Sequence, residues 1–159
     1  MINLSVPLQN GRDQRSLFKD IKIAYKENWV LQHTRALDAC YRRAPFYEYY
    51  RDSLFSILAS QEEYLMQLDK KLSQWVLKML KAKMEIAYTS YYQIQLEEDV
   101  KDARGICLPN QKIPLNEMVK YAQVFEDRNG FQPNMSILDL LFCCGPAANG
   151  LLVSNNSRF

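Results

Sequence analysis

The sequence predicts an α+β fold, in which a predominantly helical single domain carries a small antiparallel sheet. Apolar residues recur at three- and four-residue spacing between residues 28 and 82, which is the pattern of amphipathic helices. Residues 2–8 and 18–25 instead alternate apolar and polar side chains on either side of the turn signal Asn10-Gly11, as the two strands of a β-hairpin do. Residues 83–95 alternate again and are rich in aromatic and β-branched side chains, which favours a further strand.

The composition fits one globular domain and excludes several classes of protein. Of the 159 residues, 48% are hydrophobic, which is enough for a buried core. Twenty basic and eighteen acidic residues give a net charge of +2, too small for the electrostatic footprint of a nucleic-acid-binding domain. No apolar run approaches the roughly 20 residues that span a bilayer, and the N-terminus lacks the features of a signal peptide. We therefore expect no nucleic-acid partner, no membrane span and a cytoplasmic location.

The cysteine and histidine content argues against a disulfide framework and against a metal site. The four cysteines lie at positions 40, 107, 143 and 144, none of them in a Cys-x-x-Cys pair, and the chain has one histidine. A structural zinc site needs four such ligands at suitable spacing. We predict no metal and interpret Cys143 and Cys144 as small buried hydrophobic residues.

The helical region, residues 28–82, contains three predicted helices. Asn28 can cap the start of the first, and Pro45 ends or kinks it. The second runs from about residue 46 to residue 58, and the third from residue 61 to about residue 81. The third has a near-continuous apolar stripe, and its remaining face of Lys, Gln and Glu is most simply a solvated surface.

Three further regions complete the domain. Residues 1–25 form the predicted β-hairpin, and residues 83–130 form a strand followed by an irregular connection that is rich in turn-forming residues. Residues 131–153 contain a short C-terminal helix. That helix is apolar almost all round, so we expect it to pack into the middle of the molecule rather than on its surface.

The ends of the C-terminal helix carry local signals. Asn134 or Ser136 can cap its start, because each offers a side-chain oxygen to a free backbone N–H. Capping is favoured over a catalytic role for both. Gly145 permits a left-handed C-terminal residue, and Pro146 stops the helix.

One carboxylate, Asp139, lies inside this apolar helix. A charge buried without partners is costly, so the side chain must be paired, hydrogen-bonded or protonated. An acidic group in a first helical turn is also stabilised by the helix dipole. Two interpretations stay open, a structural anchor for the helix start, which is slightly favoured, and a functional carboxylate.

The helical region holds further residues with two interpretations. His33, the only histidine, is either packed in the core or a general acid or base. Arg35 is either a clamp for a phosphate or carboxylate or the partner of Asp38 or Glu48 in a salt bridge. Tyr41 opens an aromatic-rich segment that either binds the face of a sugar or packs a helix corner. Glycine-rich nucleotide-binding motifs and a nucleophile elbow are absent.

Two long segments resemble the motifs of a known protein family. Residues 29–50, which contain Tyr41-Arg-Arg-Ala-Pro-Phe-Tyr-Glu-Tyr-Tyr50, resemble the central motif of the WbqC-like family. Residues 121–142 resemble the C-terminal signature of that family, and Gly145-Pro146 matches its end. The two motifs occur in the right order with a Leu-rich helix between them, and the resemblance extends from about residue 2 to about residue 152.

The resemblance implies a context rather than a reaction. The family takes its name from genes in bacterial O-antigen and surface-polysaccharide clusters, so membership implies a cytoplasmic step in making or decorating a sugar precursor. No reaction type and no cofactor follow from it. Members of the family usually begin with a further segment of several dozen residues. We therefore expect either a shortened member or a truncated gene model.

Two hypotheses from different classes follow. The first is an enzyme that modifies a small-molecule or carrier-linked sugar, with catalytic residues His33 and Asp139. Its substrate-binding residues are Arg35, Tyr41, Asn134 and Ser136. The second is a non-catalytic helical interaction module, or an inactive family member, in which these residues are caps and surface pairs. An exposed edge of the predicted sheet would also allow two copies to pair as a homodimer.

Overall fold

The chain folds around a core of helices. The structure, a computed structural model, describes residues 4–11, 14–89, 91–97, 99–104 and 119–155. Within these residues lie six α-helices: α1 (Trp29–Tyr41), α2 (Tyr47–Leu58), α3 (Leu65–Leu80), α4 (Glu126–Asn129), α5 (Ile137–Cys144) and α6 (Ala148–Asn155). Short 3₁₀ turns, Phe18–Asp20 and Gly145–Ala147, precede α1 and α6 respectively.

Helix α2 lies at the centre of this core, packed against α1, α3 and α5. Its inner face buries side chains at three- and four-residue spacing, as an amphipathic helix should: Tyr47, Tyr50, Leu54 and Leu58. Trp75 of α3 is buried against this face, and its indole N–H donates to Ser53 Oγ at 2.9 Å. Helix α5 closes the core with Leu140, Leu141 and Phe142, each no more than 4% exposed, so the prediction that the C-terminal helix packs into the middle is confirmed.

The predicted helices are confirmed with small shifts at their ends. Asn28 Oδ1 accepts a hydrogen bond from the backbone N–H of Leu31 at 3.3 Å, which is the expected cap of α1. Helix α3 begins at Leu65 rather than at residue 61, because the backbone just before it is hydrogen-bonded to residues 21–23 instead of continuing the helix. Ile23 N–H donates to Glu63 O, and Leu65 N–H donates to Ile21 O, both at 2.9 Å.

The predicted antiparallel sheet, and with it the α+β class, is wrong. The described part of the chain contains no β-strand, only two isolated antiparallel bridges, Leu8 with Ile23 and Lys22 with Tyr64. The hairpin predicted for residues 1–25 is therefore reduced to a single isolated bridge between its arms. Residues 2 and 3 of its first arm lie outside the described residues.

Two local features keep the N-terminal arms from forming a ladder. Pro7 has no backbone N–H to donate, although its carbonyl accepts from Ala24 at 2.8 Å. The second predicted strand, residues 18–25, begins instead with the 3₁₀ turn Phe18–Asp20. Its remaining backbone is shared between the N-terminal arm and the residues before α3, so neither pairing extends beyond a bridge.

The strand predicted for residues 83–95 is also wrong. Its described residues form no ladder, and side chains that alternation assigned to a buried face are exposed, among them Met84 at 67% and Tyr88 at 49%. Alternation indicates a half-buried strand only where a second strand can pair with it. The predicted irregular connection at residues 106–115 falls outside the described residues. Since the described residues offer no strand edge, the homodimer expected through such an edge is withdrawn.

The C-terminal helix ends where predicted, but the chain remains helical. Ser136 caps α5 by accepting from Leu138 N–H at 3.3 Å, and Gly145 follows the helix with a φ of +53°. Pro146 does not stop the chain. It is the second residue of the 3₁₀ turn Gly145–Ala147 that leads into α6, where its missing N–H is not needed. Helix α6 extends as far as Asn155, two residues beyond the predicted C-terminal region.

By length and composition, Ile137–Ser154 could cross a membrane. The stretch has 18 residues with a mean hydropathy of 1.6, so the expectation of no membrane span is not upheld by composition. The indication is weak, because a core helix passes the same test. Here the stretch is broken by the turn at Pro146, and Leu141, Phe142 and Ala148 are completely buried in the protein core.

Candidate functional site around Asp139

Asp139 is buried and hydrogen-bonded, as the sequence requires. The side chain is 4% exposed and lies in the first turn of α5, where its backbone N–H donates to Ser136 O at 2.9 Å. Tyr121 approaches from the segment before α4, and its hydroxyl donates to Asp139 Oδ2 at 2.7 Å. This short charge-assisted hydrogen bond compensates in part for the lost hydration of the carboxylate.

Tyr41, the last residue of α1, lies near enough to the same carboxylate for its pKa to be affected by it. Burial raises the pKa of Tyr41, and the charge of Asp139 and a hydrogen bond with it raise that pKa further. The pKa of Tyr121 is raised by burial and by its bond to Asp139. Both tyrosines therefore stay protonated over the physiological pH range. The Asp139 cluster, defined as Asp139, Tyr41 and Tyr121, joins α1, α5 and the residues before α4.

Two pairs of contacts hold the tyrosines in place. The Tyr41 ring packs edge-on against Phe142 with ring centroids 5.0 Å apart, and Tyr121 packs edge-on against Phe131 at 6.1 Å. The amide of Gln123 donates to the Gln132 carbonyl at 2.8 Å and accepts from the Gln132 N–H at 2.7 Å. These two bonds close the turn around α4, and so they fix Tyr121 beside the start of α5.

The two adjacent cysteines lie next to the cluster as thiols. Burial, followed by the charge of Asp139, raises the pKa of Cys143 to about 12. The same two causes raise the pKa of Cys144. Because the thiolate is the reactive form, neither side chain is activated as a nucleophile. Both are half-buried, so the prediction of small buried hydrophobic residues holds in part.

His33 lies apart from the cluster. It is 8% exposed, and its Nε2 lies 3.2 Å from Ser5 O, so it fastens the N-terminal segment to α1. Its ring packs edge-on against Trp29 at 5.0 Å, and burial lowers its pKa. His33 precedes Tyr41 by two turns of α1, a rise of about 12 Å at 1.5 Å per residue. The structure therefore does not bring the two proposed catalytic residues together.

The other proposed binding residues are also separate from the Asp139 carboxylate. Arg35 is exposed on α1, and in the described residues no ion pair includes it. Asn134 is an exposed turn residue with a φ of +56°, and the Ser136 side chain is used as the cap of α5. Of the predicted substrate-binding residues, only Tyr41 reaches Asp139. A binding role for Arg35, Asn134 and Ser136 stays a prediction.

Sequence reasoning missed two arrangements. Asp38, one of the two salt-bridge partners considered for Arg35, instead accepts from Arg51 Nε at 2.7 Å and from the Tyr47 hydroxyl at 2.9 Å, which links α1 to α2. The hydrogen bond from Arg51 is the main cause of the lowered pKa of Asp38. Tyr121 was also missed. The signal for it was the buried carboxylate of Asp139, which must accept a hydrogen bond from some donor side chain.

The described residues contain no cluster of metal ligands, and two of their surface cavities lie away from the Asp139 side chain. They contain no group of three or more His, Cys, Asp and Glu side chains that could hold a metal ion. One surface cavity of about 450 Å³ lies near Tyr92 and Arg104, and another of about 380 Å³ lies near Asn28 and Gln61. Neither is lined by Asp139.

Comparison with known proteins gave one finding. A protein-family model, described as the WbqC-like protein family, matches residues 1–108 and 96–150, which is nearly the whole chain. Comparisons with curated proteins and with solved structures each found no match.

Proposed function

Because this chain belongs to the WbqC-like protein family, we propose that it is a cytoplasmic enzyme of bacterial surface-polysaccharide biosynthesis, O-antigen included. In this proposal it modifies a sugar or a carrier-linked sugar precursor. Support for the context comes from the two sequence motifs that resemble those of the family. Support for the chemistry comes from the hydrogen bond of 2.7 Å between Tyr121 and the buried carboxylate of Asp139.

The three side chains of the Asp139 cluster differ in whether they donate a hydrogen bond or accept a proton. The raised pKa values of Tyr41 and Tyr121 keep both hydroxyls protonated, so they act as hydrogen-bond donors. Asp139 is the member of the cluster that can accept a proton when ionised, and a positioned carboxylate is a common general base. A substrate hydroxyl or amine that displaced one tyrosine from Asp139 would meet an acceptor on one side and a donor on the other.

A second candidate is a non-catalytic interaction module. The distance of about two helical turns between His33 and Tyr41 favours it, since a histidine and a carboxylate must meet to share catalysis. If the chain is an interaction module, the Asp139 cluster has only a structural role and holds α1, α5 and the residues before α4 together. The polar groups then stabilise the fold and touch no substrate.

A thermal-shift screen of the purified chain separates the two candidates. The probes are nucleotide sugars, acyl-CoA donors, amino acids and inorganic phosphate. A ligand at a hundred times its Kd adds about 2.7 kcal/mol, which for a domain of this size raises Tm by about 5–10 °C. The enzyme proposal expects such a rise with one class of probe, lost in Asp139→Asn and kept in Asp52→Asn.

The two variants are matched in chemistry and differ in burial. Asp139 is 4% exposed, whereas the side chain of Asp52 is 88% exposed and pairs with Arg51 at the surface. Asparagine preserves the shape of Asp139 and can still accept from Tyr121, so the variant should fold. A shift that survives Asp139→Asn would remove the cluster from the site. A folded chain that responds to no probe would favour the interaction module.

A further inference from the structure

We propose that the chain has a second site, lined by none of the residues of the Asp139 cluster, that binds a neutral sugar ring. The site is built by the Arg104 loop, defined as residues 91–97 and 99–104, together with Thr89. It goes beyond the proposed function, and its argument uses residues of the loop and Thr89 alone.

The side chain of Arg104 holds the loop in shape. Its Nη1 donates to Gln93 O at 2.6 Å, and its Nη2 donates to Ile94 O at 3.2 Å. Its Nε and Nη2 also donate to the two carboxylate oxygens of Asp102, at 2.8 and 2.5 Å. The guanidinium stacks on Tyr92, 5.3 Å from the ring centroid. One side chain thus ties the two stretches of the loop to each other.

A cavity of about 450 Å³ opens between these two stretches. Its volume lies within the range of small-molecule sites. Besides the two cations Lys101 and Arg104, its lining has four polar or aromatic side chains, which come from both stretches and from Thr89: Thr89, Tyr92, Gln93 and Asp102. The cavity therefore combines an aromatic face with hydroxyl, amide and carboxylate groups, which is a suitable set for a polyhydroxylated ligand.

The charges of the lining favour a neutral ligand over a phosphate. The hydrogen bonds from Arg104 lower the pKa of Asp102 to about 2, so Asp102 is ionised at neutral pH and balances the guanidinium. The N–H groups that would clamp a phosphate are already directed to Asp102 and to backbone carbonyls. Lys101 also lines the cavity, but it is itself engaged in a contact.

Exposed aromatic rings of the Arg104 loop supply an apolar surface on which a sugar ring can stack. Tyr92 is 76% exposed and Tyr91 is 66% exposed, although both lie in the loop that Arg104 holds. The Tyr91 hydroxyl accepts from the Gln93 amide at 3.1 Å, which ties a second ring to the lining. Tyrosine offers a large rigid apolar face and a polar tip, and the C–H face of a pyranose ring stacks on such a surface.

The test is saturation-transfer NMR of the full chain with glucose, galactose, N-acetylglucosamine and glucose 1-phosphate at millimolar concentration. We expect at least one neutral sugar to bind, with its Kd unchanged in Tyr92→Phe, which keeps the ring. Tyr92→Ala should raise that Kd about tenfold, the size of one lost stacking contact. Tyr49→Ala is the matched control, because Tyr49 is 79% exposed on α2, outside the loop.

Three results would overturn the inference. One is binding of none of the neutral sugars, and another is a Kd that Tyr92→Ala leaves unchanged. The third is tighter binding of glucose 1-phosphate than of glucose, which would make the cavity an anion site. A ligand response that depends on Asp139 but not on Tyr92 would overturn this inference and leave the proposed function standing. Sugar binding lost in Tyr92→Ala and kept in Asp139→Asn would support the second site by itself.

Discussion

Substituting Gly145 by alanine should destabilise the protein through a contact that the structure defines. A Cβ atom built on Gly145 would lie against the Phe46 ring, 2.5 Å from Cγ and 2.7 Å from Cε1. The backbone of Phe46 cannot retreat freely, because its N–H donates to Phe142 O at 3.0 Å. Gly145 also has a φ of +53°, which residues with a Cβ rarely adopt.

The expected loss of unfolding free energy follows from the positive φ of Gly145 and the contact with the Phe46 ring. The positive φ costs alanine about 1–2 kcal/mol, and forcing the ring of Phe46 aside costs about 1–3 kcal/mol more. Replacing glycine also lowers the conformational entropy of the unfolded chain, which stabilises the folded state by about 0.4–1 kcal/mol. The free energy of unfolding should therefore fall by about 3 kcal/mol, with a decrease in Tm of about 6–12 °C.

Gly150→Ala is the matched control. Gly150 lies in α6, and a Cβ there would meet nothing within 4 Å. Alanine in a helix is favoured over glycine by about 0.5–1 kcal/mol, so this variant should be as stable as the natural chain or more so. Both variants are compared by urea unfolding monitored by far-UV circular dichroism.

The reasoning fails if Gly145→Ala is as stable as the natural chain, or if Gly150→Ala loses as much stability. A double-mutant cycle with Phe46→Leu separates the two causes, because residues in contact show non-additive effects. If the smaller side chain at position 46 recovers none of the loss, the contact with the ring is not the cause and the backbone conformation is.

Four further outcomes are expected. Tyr121→Phe removes a hydrogen bond to a buried charge and should cost about 2 kcal/mol in urea unfolding, against less than about 0.5 kcal/mol for the exposed Tyr49→Phe. The pKa values of Tyr41 and Tyr121 are higher in the folded chain than in the unfolded chain. The stability that these raised pKa values contribute is fully present below about pH 10, the unfolded pKa, and is lost as the pH rises through the folded-state pKa values. A spectrophotometric titration should therefore show these two tyrosines ionising only as the chain unfolds. Cys143, with its pKa raised to about 12, should react with a disulfide reagent at pH 8 far more slowly in the folded chain than in urea, followed by mass spectrometry. Asn28→Ala should cost about 1 kcal/mol through loss of the α1 cap, and thermal unfolding would contradict this if Tm were unchanged.

The helices were predictable because their signals are local. The cap at Asn28 acts within the first turn of α1, and the apolar stripe of α3 repeats with the period of the helix itself. The start of α5 at Ser136 and the positive φ of Gly145 were likewise predicted from the residues at those positions. Each of these features depends on neighbours within a few residues along the chain.

The sheet was not predictable, because alternation describes one strand and not its partner. Residues 83–95 have the side-chain period of a strand, but no described segment lies beside them to complete a ladder. The N-terminal arms do meet, yet the backbone of residues 21–24 is divided between the arm that contains Pro7 and the residues before α3. Competition for backbone hydrogen bonds between distant segments leaves no local signal.

By itself, the sequence determined the helices, the burial of α5 and the requirement of Asp139 for a partner, because helix periodicity and the cost of an unpaired buried charge are both local properties. Only the tertiary structure decided which groups would meet that requirement. Tyr41 and Tyr121 reach Asp139 from two separate parts of the chain, while His33, on the same helix as Tyr41, binds the carbonyl of Ser5. The physical reason is that the packing of α1 against its neighbours directs one end of that helix towards α5 and leaves the other at the N-terminal segment.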